Sequence, residues 1–300
     1  MWQSIYKRAL NHLIRERPIS DIPLSDFQRL KHEIRPCDVV LVEGTSHVAE
    51  VIKVITQSRW SHAAIYIGRL HDISSPVLRD QIKSVYDGQP DEQLIIESQL
   101  GMGTLIRPLH VYDKKHLRIC RPHELNYDDA QKVIEYSLGK VGAKYDIRAI
   151  MDLARFYYPW HFLPKKWRSS LFEWKPGNQT KTVCSTMISE AFSSIHYPIL
   201  PLVKRVEAGH IRLFQMNPKL STPSDFDYSP YFDIIKYPFL SFKTGSTDPR
   251  YHELPWEGEG ELTAEESKLY INNLKEKVLE HKPKSRRSIG LKNNLSGKHH

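Results

Sequence analysis

The chain has 300 residues and a formal net charge of +8, with 40% of its residues hydrophobic. That apolar fraction is enough to bury a sizeable core, and the basic balance leaves anionic partners open: a phospholipid surface, nucleic acid or acidic substrates. Cysteines at 37, 120 and 184 are odd in number, far apart and without a CxxC pair, which argues against a disulfide framework or a structural zinc site and for a reducing compartment.

In the opening stretch, "MWQSIYKRALNHLIRER", Trp2, Ile5, Tyr6, Ala9, Leu10, Leu13 and Ile14 recur at helical spacing, with Lys7, Arg8, Arg15 and Arg17 largely off that stripe. An amphipathic helix is expected there, within an N-terminal segment 1–34. Its apolar face either docks on the domain's own core or lies in an anionic membrane surface through residues 1–17. The stretch lacks the apolar core and cleavage site of a secretory signal, and no window of the chain approaches a transmembrane span. The expected location is cytoplasmic, peripheral at a membrane if the helix binds lipid.

A domain over 35–240 follows. "RPCDVVLVEG" predicts a strand from about Asp38 to Val42, and "SHVAEVIKVITQS" a helix with Ser46 as N-cap and Val48, Val51, Ile52 and Ile55 on one face. "WSHAAIYIG" predicts a strand ending at Gly68, and residues 70–92 a polar loop. "QLIIES", "GTLIRPL" and "HLRICRP" read as three more strands, antiparallel because their connections are short. Helices are expected in "NYDDAQKVIEYSLGK", capped by Asn126 or Asp128 and stopped at Gly139, and in "YDIRAIMDLARFYY".

An aromatic connection over 156–174 then leads to a helix that opens at "TVCSTMISEAF", with Thr180 or Thr182 able to cap and Val183, Met187, Ile188 and Ala191 apolar. Pro-rich turns through "NPKLSTPSDFDYSPYF" and a last strand near "FDIIKY" complete the domain. Residues 241–300 form a charged extension: eight acids fall in 251–280, then six basic residues and no acid in 281–300, the composition of a disordered tail.

Three residues carry the chemistry. Cys184 stands at the predicted start of its helix, where unpaired backbone N–H groups and the positive end of the helix dipole favour a thiolate, and where the same N–H groups could receive an oxyanion. The bland alternative is a buried, space-filling thiol. His62 sits inside an apolar strand, on one side with Ala64 and Tyr66, while Ala63, Ile65 and Ile67 take the other. It is either a satisfied core histidine or a general base. Glu97 closes the run "LIIE", where a buried carboxylate needs a cationic or hydrogen-bonding neighbour, and an imidazole would serve. Together they supply nucleophile, base and orienting carboxylate.

In their order, "CDVVLVEG…SRWSHAAIYIG", "IIES", "YDIRAI" and "TVCSTMISEAF" resemble the permuted NlpC/P60 papain-like cysteine hydrolases, in particular the YiiX/YebB-like branch. The resemblance covers roughly residues 35–195, with "TPSDF" at 222–226 similar to a downstream Pro–Asp element of that family. It implies an α+β, circularly permuted papain-like fold, with an antiparallel sheet packed against helices and the nucleophile at a helix N-terminus. It implies Cys184 as nucleophile, His62 as base and Glu97 as third member, with Ser185, Tyr66, Tyr145 and Asp146 as oxyanion or substrate positions. No cofactor and no metal are implied. The family's opening strand usually begins Gly-Asp, whereas this chain has Cys37-Asp38.

The expected function is cleavage of an amide or ester bond through an acyl-thioester, with an acylated, lipid-like or small peptide-like substrate favoured over murein. An acyltransferase using the same Cys–His pair is one alternative. A non-catalytic peripheral membrane module is another. Nucleic acid is an unlikely partner, because no aromatic–basic interleaving of the kind that stacks bases is present.

Overall fold

A computed structural model describes residues 15–16, 24–145, 181–182, 184–205 and 210–239. By its contacts the chain divides into units Met1–Ser241 and Phe242–His300, and every described residue lies in the first. The expected N-terminal helix (all but Arg15 and Glu16), the helix over 146–158, the aromatic run 156–174 and the extension from residue 242 onward lie outside the described residues.

The chain order is α1 (Phe27–Glu33), β1 (Val39–Glu43), α2 (His47–Thr56), β2 (His62–Gly68), α3 (Pro76–Val85), β3 (Leu94–Gln99), β4 (Gly103–Pro108) and β5 (His116–Pro122). Then come α4 (Tyr127–Leu138), the two-residue strands β6 (Lys144–Tyr145) and β7 (Lys181–Thr182), α5 (Cys184–Ser194), β8 (Leu202–Arg205), β9 (Ile211–Phe214), α6 (Pro223–Tyr228) and β10 (Phe232–Ile235). Six strands form one sheet in the order β10-β5-β1-β2-β3-β4, and every neighbouring pair is antiparallel. The result is the expected mixture of helices and an antiparallel sheet.

Both faces of this sheet are buried, which is why its central strands read as unbroken apolar runs instead of alternating with polar residues. On one face Val39, Leu41, Ala63, Ile65, Ile67 and Ile96 pack with Val133 and Ile134 of α4 and with Met187, Ile188, Ala191 and Phe192 of α5. On the other, Val40, Val42, Ala64, Tyr66 and Ile95 pack with Phe27 and Leu30 of α1 and with Leu109 and Tyr112. Ser46 caps α2 by accepting from the Ala49 N–H, and Asn126 caps α4 by accepting from Asp129. Gly139 ends α4 as its C-cap.

Cys37 adopts φ 70°, the left-handed region that favours glycine. This is the position at which the resembled family carries Gly. The strain is held by two bonds: its N–H donates to the Tyr66 carbonyl at 2.7 Å, and its thiol to the Ala130 carbonyl at 3.3 Å. Beside it, buried Asp38 accepts two bonds from the Arg121 guanidinium, at 2.9 and 2.7 Å, and so pins β5 to the start of β1.

Four expectations need correction. The polar loop over 70–92 contains α3, whose Ser75 cap, Pro76 in the first turn and buried Leu78 and Ile82 suffice for a helix even though its remaining positions are mostly polar. The turns over 217–228 contain a 3-10 segment, Pro218–Leu220, and α6, with a capping box between Thr222 and Asp225. β5 does not sit beside β4: a 3-10 segment, Leu109–Tyr112, carries the chain across one sheet face to the far side of β1. Tyr145, expected at a helix start, is in β6, paired in parallel with Thr182.

Candidate active site

The pairing of Ile65 with Ile96 and Tyr66 with Ile95 places His62, Ala64 and Tyr66 on the sheet face of Ile95 and Glu97. His62 is the first residue of β2, so its ring stands at the edge of the covered sheet, with its side chain about one-fifth exposed. Its Nε2 lies 2.5 Å from Glu97 Oε2. α5 reaches the same edge from the opposite face, anchored by Met187 and Ile188, and brings Cys184 to the imidazole, with which the sulfur shares a hydrogen bond. With Nε2 engaged by Glu97, Nδ1 is the ring nitrogen left for the sulfur.

Two further groups hold Glu97, and neither was expected from the sequence. The Tyr112 hydroxyl donates to Oε2 at 2.5 Å, and Arg107 Nη1 donates to Oε1 at 3.1 Å. Glu97 pairs with Leu105 across the β3–β4 hairpin, so Arg107, two residues on, is its diagonal neighbour on the same face. The hairpin register would have revealed Arg107. Tyr112 gave no such signal, because it enters from the crossing 3-10 segment and reads in the sequence as one more core aromatic.

The electrostatics follow from this packing. Burial opposes charge on all three groups, yet their mutual attraction prevails. Burial alone would raise the Cys184 thiol; the His62 cation, its hydrogen bond and the backbone N–H groups of Ala63 and Ser185 outweigh that and hold it below the ordinary 9.0. For His62, burial pulls down, but the Cys184 and Glu97 anions lift it from 6.5 to about 10. Glu97, pushed up by burial, is carried down from 4.5 to about 2 by His62, Tyr112 and Arg107. Tyr112 stays a donor because burial and the Glu97 carboxylate hold its phenol far above 10.0. Thiolate, carboxylate, imidazolium and guanidinium sum to zero, so no net charge is buried.

Ser185 donates its hydroxyl to the Ser221 carbonyl at 2.6 Å and its N–H to the Cys184 sulfur. Tyr66 stands four residues along β2 from His62, about 13 Å away at strand rise, with its hydroxyl accepting from Gln93 at 3.0 Å. It lies outside the cluster. The Tyr145 backbone runs beside β7, two residues before Cys184, and Asp146 lies outside the described residues. Cys37 and Cys120 are buried and free, both pushed up in pKa by burial first; the Arg118 charge near Cys120 pulls the other way without offsetting burial. Among the described residues no group of three or more His, Cys, Asp or Glu is placed to hold a metal ion, and no helix is long and apolar enough to cross a membrane.

Comparison with known proteins gives one family. The profile of a family described as "Permuted papain-like amidase enzyme, YaeF/YiiX, C92 family" matches residues 33–212. Among solved structures, one described as the metalloprotein yiiX from Escherichia coli O157:H7 is similar at 11% identity, over 68% of this chain and 97% of that one, with a TM-score of 0.41. No curated protein matches.

Proposed function

This chain belongs to the permuted papain-like amidase family, a family of cysteine hydrolases, and on that premise we propose that Cys184, His62 and Glu97 cleave an amide or ester bond of a small acylated or lipid-like molecule. The single observation that carries the reading is the hydrogen-bonded line from the Cys184 sulfur through the His62 ring to the Glu97 carboxylate, joining three segments far apart in the chain. The order, with the His strand before the Cys helix, is the one implied by the resemblance to the permuted NlpC/P60 branch.

The reaction runs in two balanced halves. The Cys184 thiolate adds to the carbonyl carbon, forming the C–S bond and an oxyanion. The N–H groups of Ala63 and Ser185, already turned toward the sulfur, are the donors nearest that oxygen. As the oxyanion collapses, the bond to the leaving amine or alcohol breaks, and His62 gives up its proton to that leaving group. Water then attacks the thioester while His62 takes one of its protons, and the acid departs with the thiol side again a thiolate. Glu97 keeps Nε2 protonated throughout and steadies the ring cation.

Preference for an acylated substrate over murein rests on composition: eight aromatic residues between 156 and 174 precede the Cys184 helix in the chain. Ser185 and Tyr145 border the substrate in this reading. No cofactor is required by the chemistry. Three buried free thiols suit a reducing, cytoplasmic setting. An acyltransferase differs only in the second half, where an amine or alcohol replaces water.

The test is intact-mass analysis of the protein incubated with a panel of activated esters, acyl amides and short peptides. An acyl adduct on Cys184, larger for acyl than for peptide substrates and discharged faster by an added amine only in the transferase case, is the expected result. Adducts confined to Cys37 or Cys120, or none with any member of the panel, would refute the proposal.

A further inference from the structure

The β8–β9 hairpin stands apart from the sheet as a two-stranded element of its own, and all eight of its residues are exposed. Leu202, Val203, Ile211, Leu213 and Phe214 are between 47% and 68% exposed, which is uncommon for five large apolar side chains on one short element. Pairing of Leu202 with Phe214 and of Val203 with Leu213 sets them on both faces of the ribbon. A lone hairpin is at best marginally stable in water, so leaving this apolar area uncovered is costly.

The remaining residues of the two strands are cations, Lys204, Arg205 and Arg212, against one acid, Glu207, in the segment that joins them. Lys204 and Arg212 are register partners, two like charges directly opposite one another, which weakens a hairpin unless an anion lies against them. None of the three side chains has an ion pair or hydrogen bond with the described residues, and the strands carry no acid. The cleft at the hairpin's base, where Leu213 and Phe214 meet Ile199, Leu200 and Ser189, is about 90 Å³, far below the size of a ligand site. The feature is therefore a surface.

We propose that the β8–β9 hairpin docks this enzyme on an anionic phospholipid bilayer, its apolar side chains entering the headgroup boundary while Lys204, Arg205 and Arg212 meet lipid phosphates and carboxylates. Apolar anchors interleaved with basic residues are the composition of an interfacial element. A protein partner would have to be both apolar and acidic on one face; an anionic bilayer offers the two together. The inference does not depend on the chemistry assigned to Cys184.

The test is flotation of the full chain with vesicles of phosphatidylcholine alone and of phosphatidylcholine with about one-third phosphatidylserine. Binding to the second only, released by high salt, is expected. Lys204→Gln with Arg212→Gln should weaken it by about 25-fold, each cation near such a surface being worth roughly fivefold. Val203→Ser with Ile211→Ser should also release the protein. Both double variants should keep the parent melting temperature, since they remove exposed groups only. The proposal is overturned if the parent ignores both vesicles, if the variants bind as well as the parent, or if the hairpin instead drives self-association that the variants abolish without any vesicle binding.

Discussion

Cys184→Ala will lose amide hydrolysis by at least about 10⁴-fold, as expected when the member of a catalytic unit that forms the covalent bond is removed, while its melting temperature stays close to that of the parent. The thiol is buried at a helix start, so its deletion strips one sulfur from the core and leaves the Ala63 and Ser185 N–H groups without their acceptor. Against that, a buried anion disappears, and His62 keeps its bond to Glu97. These terms oppose one another, and a net change of about 1 kcal/mol corresponds to roughly 2–4 °C for a domain of this size. Large loss of turnover beside a small thermal shift is the pattern that separates a nucleophile from a packing residue. A melt lowered by ten degrees or so, with activity falling only in proportion to the unfolded fraction, would assign Cys184 to the core.

Glu97→Gln will fail in the opposite balance, losing both activity and stability. Rate should fall by about 10²–10⁴-fold, because an amide can present its N–H to the ring and select the wrong tautomer. Stability should fall by about 2–3 kcal/mol at neutral pH, because Tyr112 and Arg107 lose the charged acceptor they share. The pH dependence identifies the cause. Glu97 has a folded pKa of about 2 against 4.5 ordinarily, so its carboxylate stabilises the fold fully above 4.5, and that contribution is lost as pH falls toward 2. The stability gap between parent and variant should accordingly close over that window, as followed by denaturant midpoints at stepped pH. A gap that stays constant from pH 6 to 2 would mean that shape, and not charge, is what Glu97 supplies.

How much of this was legible in the sequence depended on how local each signal was. The His62 strand is written in consecutive residues, since "AAIYI" can only be a short run buried on both sides once Gly68 ends it. The Cys184 helix declares itself through Met187, Ile188 and Ala191 on one face, and Glu97 through the oddity of a carboxylate in an apolar strand. Arg107 and Tyr112 were hidden because their relation to Glu97 exists only across a register and a crossing. The crossing also explains the misjudged neighbour of β5: seven residues between Pro108 and His116 look like a hairpin connection, but Leu109 and Tyr112 are consumed as core on the sheet face they traverse. α3 was missed for the converse reason, since two buried residues, Leu78 and Ile82, carry its docking while the rest of it reads as solvent. No strand is expected from the sequence at the β8–β9 hairpin, because no packed face marks it as a sheet.

The most direct test of the whole account is the pH dependence of Cys184 alkylation in the parent and in His62→Ala. A thiolate held by the His62 cation should be alkylated with a midpoint below 9.0, with Cys37 and Cys120 unreactive in the folded protein, and His62→Ala should move the Cys184 midpoint upward past that value. A parent midpoint at or above 9.0 that His62→Ala leaves in place would contradict the ion pair on which the proposed chemistry stands.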